Sequence, residues 1–140
     1  PGMIERGRGS ILNVASTAAF QPLPGQAGYA AAKAFVLAYT QALAGELRGT
    51  GVSATALCPG PVHTGFATNA GIPAEAAEAA LPKVMWVDAR TVARAAVEGM
   101  ERGRMVVIPG TANRVSAVLS QLAPRRLVVP LIARRHPGMQ

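Results

Sequence analysis

Gly9-Ser10-Ile11-Leu12-Asn13-Val14-Ala15-Ser16 decides the fold of this chain. Ile11, Leu12 and Val14 form a short apolar run, partly β-branched and opened by glycine, which is the pattern of a buried strand over about residues 10–15. Gln21-Pro-Leu-Pro-Gly25 then breaks the chain. A helix is predicted from about 27 to 48, stopped by Gly49 and Gly51, with Phe35, Leu37, Ala38, Ala42, Leu43 and Leu47 as a broad buried face. A second strand follows at about 52–57. Asp88 is a good N-cap for a helix running to about Arg102, where Gly103 ends it, and Met105 to Ile108 make a final strand. Strands alternating with helices predict an α/β fold, part of a doubly wound parallel sheet.

Ser16 stands where the first strand runs out, at the carboxyl edge where open α/β sheets place ligands. Thirteen positions later comes Gly25-Gln-Ala-Gly-Tyr29-Ala-Ala-Ala-Lys33. A Tyr and a Lys four residues apart share one helix face, one turn from each other. A phenol titrates near pH ~10 and is a poor acid–base group at neutrality, but an ammonium held beside it favours the phenolate. Directly after the second strand comes Cys58-Pro59-Gly60-Pro61-Val62-His63-Thr64. Pro-Gly-Pro cannot continue a strand, so the chain leaves the sheet edge there with backbone and a hydroxyl free to face a ligand.

In order and spacing, Asn13-Val-Ala-Ser16, Tyr29/Lys33 and Pro59-Gly60-Pro-Val62-His-Thr64 resemble the short-chain dehydrogenase/reductase family over about residues 1–110. The resemblance implies a Rossmann-like sheet and an NAD(P)-dependent oxidoreductase that interconverts an alcohol and a ketone or aldehyde. Ser16 would hydrogen-bond the substrate oxygen, and Tyr29 would donate or accept the proton. Lys33 would hold the nicotinamide ribose and favour the phenolate. Pro59, Gly60, the backbone around Val62 and the hydroxyl of Thr64 would grip the nicotinamide end. It also implies that residues 65–87 close over the substrate as a lid and that the long helix packs against its copy in a homo-oligomer. Asn13 lies inside the strand and is read as structural.

The family's glycine-rich turn between first strand and first helix is absent; Gly7-Arg-Gly9 is the nearest candidate, and it precedes a strand. The chain therefore reads as the second half of such an enzyme, inactive and unable to bind the dinucleotide by itself. The alternative is a non-catalytic truncated chain acting at most as an interaction module. Epimerases and dehydratases that share Tyr-x-x-x-Lys fit less well, because the Pro59-Gly60 loop with Thr64 is the reductase pattern. The choice between NAD and NADP, and the substrate, are left open.

Half of the 140 residues are hydrophobic and only 4% aromatic, so the core is expected to be built from Ala, Val and Leu. The single cysteine, Cys58, excludes an internal disulfide and reads as a small buried hydrophobe. Phe66, Ile72, Met85 and Trp86 are expected either to line an apolar pocket or to plug the lid onto the core. His63 reads as an incidental loop histidine. No metal is expected, since His63 and His136 are the only histidines and no ligand cluster has metal spacing. The absence of an apolar leader or an ~18-residue apolar span implies a cytoplasmic, soluble or peripheral protein.

The net charge of +7 is uneven, with Arg114, Arg125, Arg126, Arg134 and Arg135 unopposed by any acid. Val115, Val118, Leu119 and Leu122 space like one face of a helix. Residues 111–140 thus read as a basic amphipathic tail that could lie on an anionic membrane, cover a neighbouring subunit or cover the substrate pocket, the substrate in the first case being lipophilic. Nucleic acid is not expected as a partner, because the basic residues have no aromatic stacking platforms beside them.

Overall fold

The computed structural model describes residues 1–64, 75, 78, 79 and 81–133. A one-turn helix α1 (Gly2–Glu5) precedes strand β1 (Gly9–Val14). A 3-10 turn (Thr17–Phe20), the long helix α2 (Ala27–Glu46) and β2 (Val52–Leu57) follow. After a second 3-10 turn (Lys83–Met85) come α3 (Ala89–Glu101), the short β3 (Val106–Val107), α4 (Thr111–Leu122) and α5 (Arg125–Ala133). The three strands pair in parallel in the order β1-β2-β3. Gly9 aligns with Val52 and Val14 with Leu57. The fold is the α/β arrangement that the alternating pattern predicts.

Alternation along β2 explains the two helical layers. Ala54, Ala56 and Cys58 point to one face, where Leu37, Leu43 and Leu47 of α2 cover them. Leu57 points to the other, against Ala96, Val92 and Ala95 of α3. A strand buried on both faces needs apolar residues at nearly every position, as a central parallel strand does. The residues β2 places under α2 are small, which brings the helix close to the sheet.

Helix α2 begins and ends within two residues of its predicted limits, but its buried face is narrower than expected. Leu37 and Leu47 are buried, whereas Phe35 (69% exposed), Ala38 and Ala42 face outward. The sheet takes the stripe through Ala30, Leu37 and Thr40, and a polar pair sets that rotation. Asn13 Nδ2 on β1 donates to Thr40 Oγ1 at 3.0 Å, and Thr40 Oγ1 donates to the Val36 carbonyl at 2.6 Å. Asn13 is thus structural, as its place in the strand suggests. The final strand is also shorter than Met105–Ile108: only Val106 and Val107 stand in register with β2, although the Met105 carbonyl still accepts from Ala56 N at 2.9 Å.

Asp88 caps α3, its Oδ1 accepting from Thr91 N at 2.9 Å, and these hydrogen bonds hold its carboxyl below the usual range. Gly103 ends the helix region at φ 62°, a left-handed conformation that glycine adopts without strain. Helices α4 and α5 are tied to the 3-10 turn after β1 and the loop beyond it: Ser120 Oγ donates to Gln21 Oε1 at 2.8 Å and Arg125 Nη1 to the Phe20 carbonyl at 3.2 Å.

Thr40→Val leaves the Asn13 amide without its acceptor at unchanged volume. In the full-length polypeptide this substitution is expected to cost about 1–2 kcal/mol in urea unfolding; a loss under ~0.3 kcal/mol would show that the pair does not set the α2–β1 contact.

Candidate active site

Parallel pairing brings the carboxyl ends of β1 and β2 to one edge, and three bonds hold the emerging chains together there. Ala15 N donates to Leu57 O at 2.8 Å, Thr17 N to Pro59 O at 2.9 Å and Cys58 N to Val107 O at 2.8 Å. Ser16 sits between the first two in extended backbone. Its Oγ accepts from Ala18 N at 3.1 Å, capping the 3-10 turn, and donates a long 3.5 Å hydrogen bond to the Pro59 carbonyl. The hydroxyl is half-buried, and the long bond to Pro59 leaves it available for a better partner.

The first two turns of α2 face this edge. Lys33 Nζ donates to the Val14 carbonyl at 3.0 Å, two residues before Ser16. The same ammonium lies 5.9 Å from the centroid of the Tyr29 ring. Tyr29 and Lys33 therefore meet across one helical turn, as their spacing predicts, and Lys33 ties that turn to the end of β1. Lys33 thus reaches the end of β1, two residues before Ser16, with Tyr29 one turn away on the same helix.

The loop that leaves β2 is strapped down on its far side. Val62 pairs with Val87 in a parallel bridge, and Val87 N donates to Pro61 O at 3.0 Å. His63 stacks on Trp86 with ring centroids 4.7 Å apart, and its Nδ1 lies 3.6 Å from Glu78 Oε1. It is half exposed and meets no element of the Ser16–Tyr29–Lys33 group in these contacts. Thr64 is exposed at the end of the loop. Met85 and Trp86 belong to the strap; Phe66 and Ile72 lie outside the described residues.

Asn113 is the residue that sequence reading did not assign to the site. It is the third residue of α4, fully buried, and donates through Nδ2 to the carbonyls of Met85 and Pro109. The one signal in the sequence is its place just after Pro109-Gly110, where a chain turns into a helix. A separate cavity of about 520 Å³ lies between α2 and the 21–24 loop, lined by Ala19, Leu23, Ala27, Ala30 and Ala34 with Arg125 at its side. Neither Tyr29 nor Lys33 lines it.

Residues 1–75 match the sequence pattern of the short chain dehydrogenases. The chain belongs to this family. The ketoacyl reductase HetN of Nostoc sp. is 34% identical over 124 residues, covering 87% of the chain and 40% of that protein. A putative ketoacyl reductase of Streptomyces coelicolor is 46% identical over 68 residues, which is 49% of the chain and 26% of the relative. A short-chain dehydrogenase of Sphingobium yanoikuyae, solved in complex with NADPH, superposes with a TM-score of 0.70 at 30% identity, over 93% of the chain and 48% of that structure. The chain thus spans half the length of these dehydrogenases or less.

Cys58 adjoins the loop yet is chemically quiet. It is fully buried, and burial pushes its thiol up to about 11, the Ser16 backbone N–H lowering it slightly. A thiol that must stay neutral to remain buried stabilises the fold below its ordinary value near 9.0 and ceases to do so as pH rises toward about 11. The expected behaviour is negligible labelling by a disulfide reagent at pH 7.5 in the folded protein, and a Cys58 contribution to stability, read as the difference from Cys58→Ala, that is flat below pH 9 and declines between 9 and 11. Rapid labelling at pH 7.5 would show that the strand end opens.

Proposed function

We propose that the chain is the catalytic half of an NAD(P)-dependent oxidoreductase that interconverts an alcohol and a ketone or aldehyde. The observation that carries this reading is Lys33, bonded to the Val14 carbonyl and set beside Tyr29 at the strand end where Ser16 emerges. An ammonium has three donors, and Val14 uses one of them. The other two suit neighbouring hydroxyls such as those of a ribose. Ser16 would fix the substrate oxygen, with Tyr29 taking the alcohol proton in oxidation and returning it to the carbonyl oxygen in reduction. Pro59, Gly60, the Val62 backbone and Thr64 would hold the nicotinamide end. The bound nicotinamide supplies or accepts the hydride.

The ketoacyl reductases among its relatives favour an acyl-chain ketone as the carbonyl substrate. A dinucleotide also needs a site for its pyrophosphate, which a glycine-rich turn at a helix N-terminus would supply in a longer polypeptide. In that full-length enzyme, Tyr29→Phe should lower kcat on the order of 10²–10⁴-fold while cofactor affinity stays within about twofold. Lys33→Ala should impair both. Near-normal turnover in the phenylalanine variant would mean that another group moves the proton.

Two exposed faces support the partner assignments. Phe35 and Tyr39 stack at 6.0 Å on the outward side of α2, with Ala38 and Ala42 beside them, a surface suited to a second copy of the chain. Val118, Leu119 and Leu122 stand exposed on α4, followed by Arg125 and Arg126 without a neighbouring acid, a surface suited to anionic lipid. Among the described residues no helix is long and apolar enough to cross a membrane. Sedimentation separates the two surfaces: Phe35→Glu should lower the sedimenting mass without vesicles, and Arg126→Glu should weaken only co-sedimentation with phosphatidylserine vesicles. Unchanged sedimentation in either variant removes the corresponding partner.

A further inference from the structure

Asn113 joins three segments through one amide. Nδ2 donates at 3.0 Å to the carbonyl of Met85, in the strap, and at 3.0 Å to that of Pro109, at the entrance to α4. Two acceptors on that side identify it as the NH₂ end, so Oδ1 must face the other way. Gly60 lies against the face of this amide: a Cβ on Gly60 would fall 2.3 Å from Oδ1, 2.5 Å from Cγ and 2.6 Å from Nδ2. The loop backbone rests directly on the amide, at a distance only glycine permits. Gly110, at φ 85°, closes the same pocket, its Cβ position being 3.1 Å from Nδ2.

Oδ1 itself is buried and has no hydrogen-bond partner among the described residues. Burying an unsatisfied acceptor is unfavourable, so filling space is a poor account of an asparagine here. A leucine would fill a similar volume without that cost. What leucine cannot do is satisfy two carbonyls that converge from separate segments and present a flat surface to Gly60.

We propose that Asn113 is a positioning residue for the cofactor: it sets the height of the Pro59–Val62 loop above the sheet edge, and so where that backbone meets the nicotinamide. The inference rests on the cofactor-binding role proposed above for this loop. Trp86, the single tryptophan of the sequence, follows Met85 and stacks on His63 of the loop, and so reports on the arrangement spectroscopically.

The test uses the full-length polypeptide with NADPH and NADH, comparing Asn113→Leu, Gly60→Ala and Leu47→Ala. Asn113→Leu keeps the volume and removes the donors; Gly60→Ala keeps Asn113 and lifts the loop. Both should lower kcat/KM for the dinucleotide on the order of 10²-fold, the penalty of misplacing a reacting group by about an ångström, and both should shift Trp86 emission. Leu47→Ala, a core change against Val52 and Ala54 away from the site edge, should reduce the melting temperature while leaving kcat/KM and Trp86 emission unchanged. Dinucleotide kcat/KM within twofold of the parent in Asn113→Leu, or in Gly60→Ala should the leucine variant not fold, would overturn the proposal. So would the same loss in Leu47→Ala, which would make the effect one of general stability. Tyr29→Phe keeps the two readings apart: full turnover there ends the catalytic assignment of Tyr29, whereas the Asn113 comparison is read from the dinucleotide dependence and from Trp86.

Discussion

The parallel pairing of β1 with β2 is the constraint on which the rest depends. Two parallel strands release their chains at the same edge, so Ser16 and Pro59 become neighbours although 43 positions separate them. The ladder continues past the strands through Ala15 N to Leu57 O and Thr17 N to Pro59 O, which makes the exits as well ordered as the sheet. An antiparallel pairing would have sent these two segments to opposite ends. Helix α2 is the crossover that parallel pairing requires: its first turns lie beside the edge where β1 ends, and its last turns reach the opposite edge where β2 begins. Tyr29 and Lys33 occupy the first turns.

Small side chains make that geometry compact. Ala54 and Ala56 on β2 let α2 approach the sheet, and the lysine stem of Lys33 then reaches the Val14 carbonyl from the adjoining helix face. The layer is held in register by a polar contact, Asn13 to Thr40, rather than by apolar shape alone. Alanine surfaces are smooth and permit a helix to rotate or slide. A directional bond between a strand and a helix removes that freedom, which a site needing two helix residues in fixed orientation cannot tolerate.

Local chemistry made much of this legible. Glycine and proline mark the ends of α2, β2 and the Pro59–Thr64 loop, and the four-residue spacing of Tyr29 and Lys33 defines a shared helix face wherever the helix lies. The rotation of α2 was not legible: Phe35 and Leu37 are equally apolar, and only the Asn13–Thr40 contact, made across 27 positions, decides which one faces the sheet. The role of Asn113 was hidden for the same reason. Its partners lie at Gly60, Met85 and Pro109, and no periodicity links them. Tertiary hydrogen bonds leave no regular trace in a sequence, whereas caps, breakers and helical spacing do.

Charge placement extends this argument to the tail. The seven arginines from Arg102 onward equal the whole net charge of +7, so the chain up to Glu101 is balanced. Arg102 and Arg104 follow the carboxyl end of α3, where the helix dipole favours cations. Arg114 Nε donates to the Ile108 carbonyl at 2.8 Å, beside the turn that Asn113 holds, and Arg125 reaches the Phe20 carbonyl. Arginine suits such work because its planar fork can satisfy a carbonyl and still present donors outward. Part of the basic excess is therefore spent on stitching α4 and α5 to the site edge, and Arg126 is among the cations that this stitching leaves over. Arg125 and Arg126 keep their full charge and stand exposed at the joint between α4 and α5, next to the exposed Leu122 and Leu127.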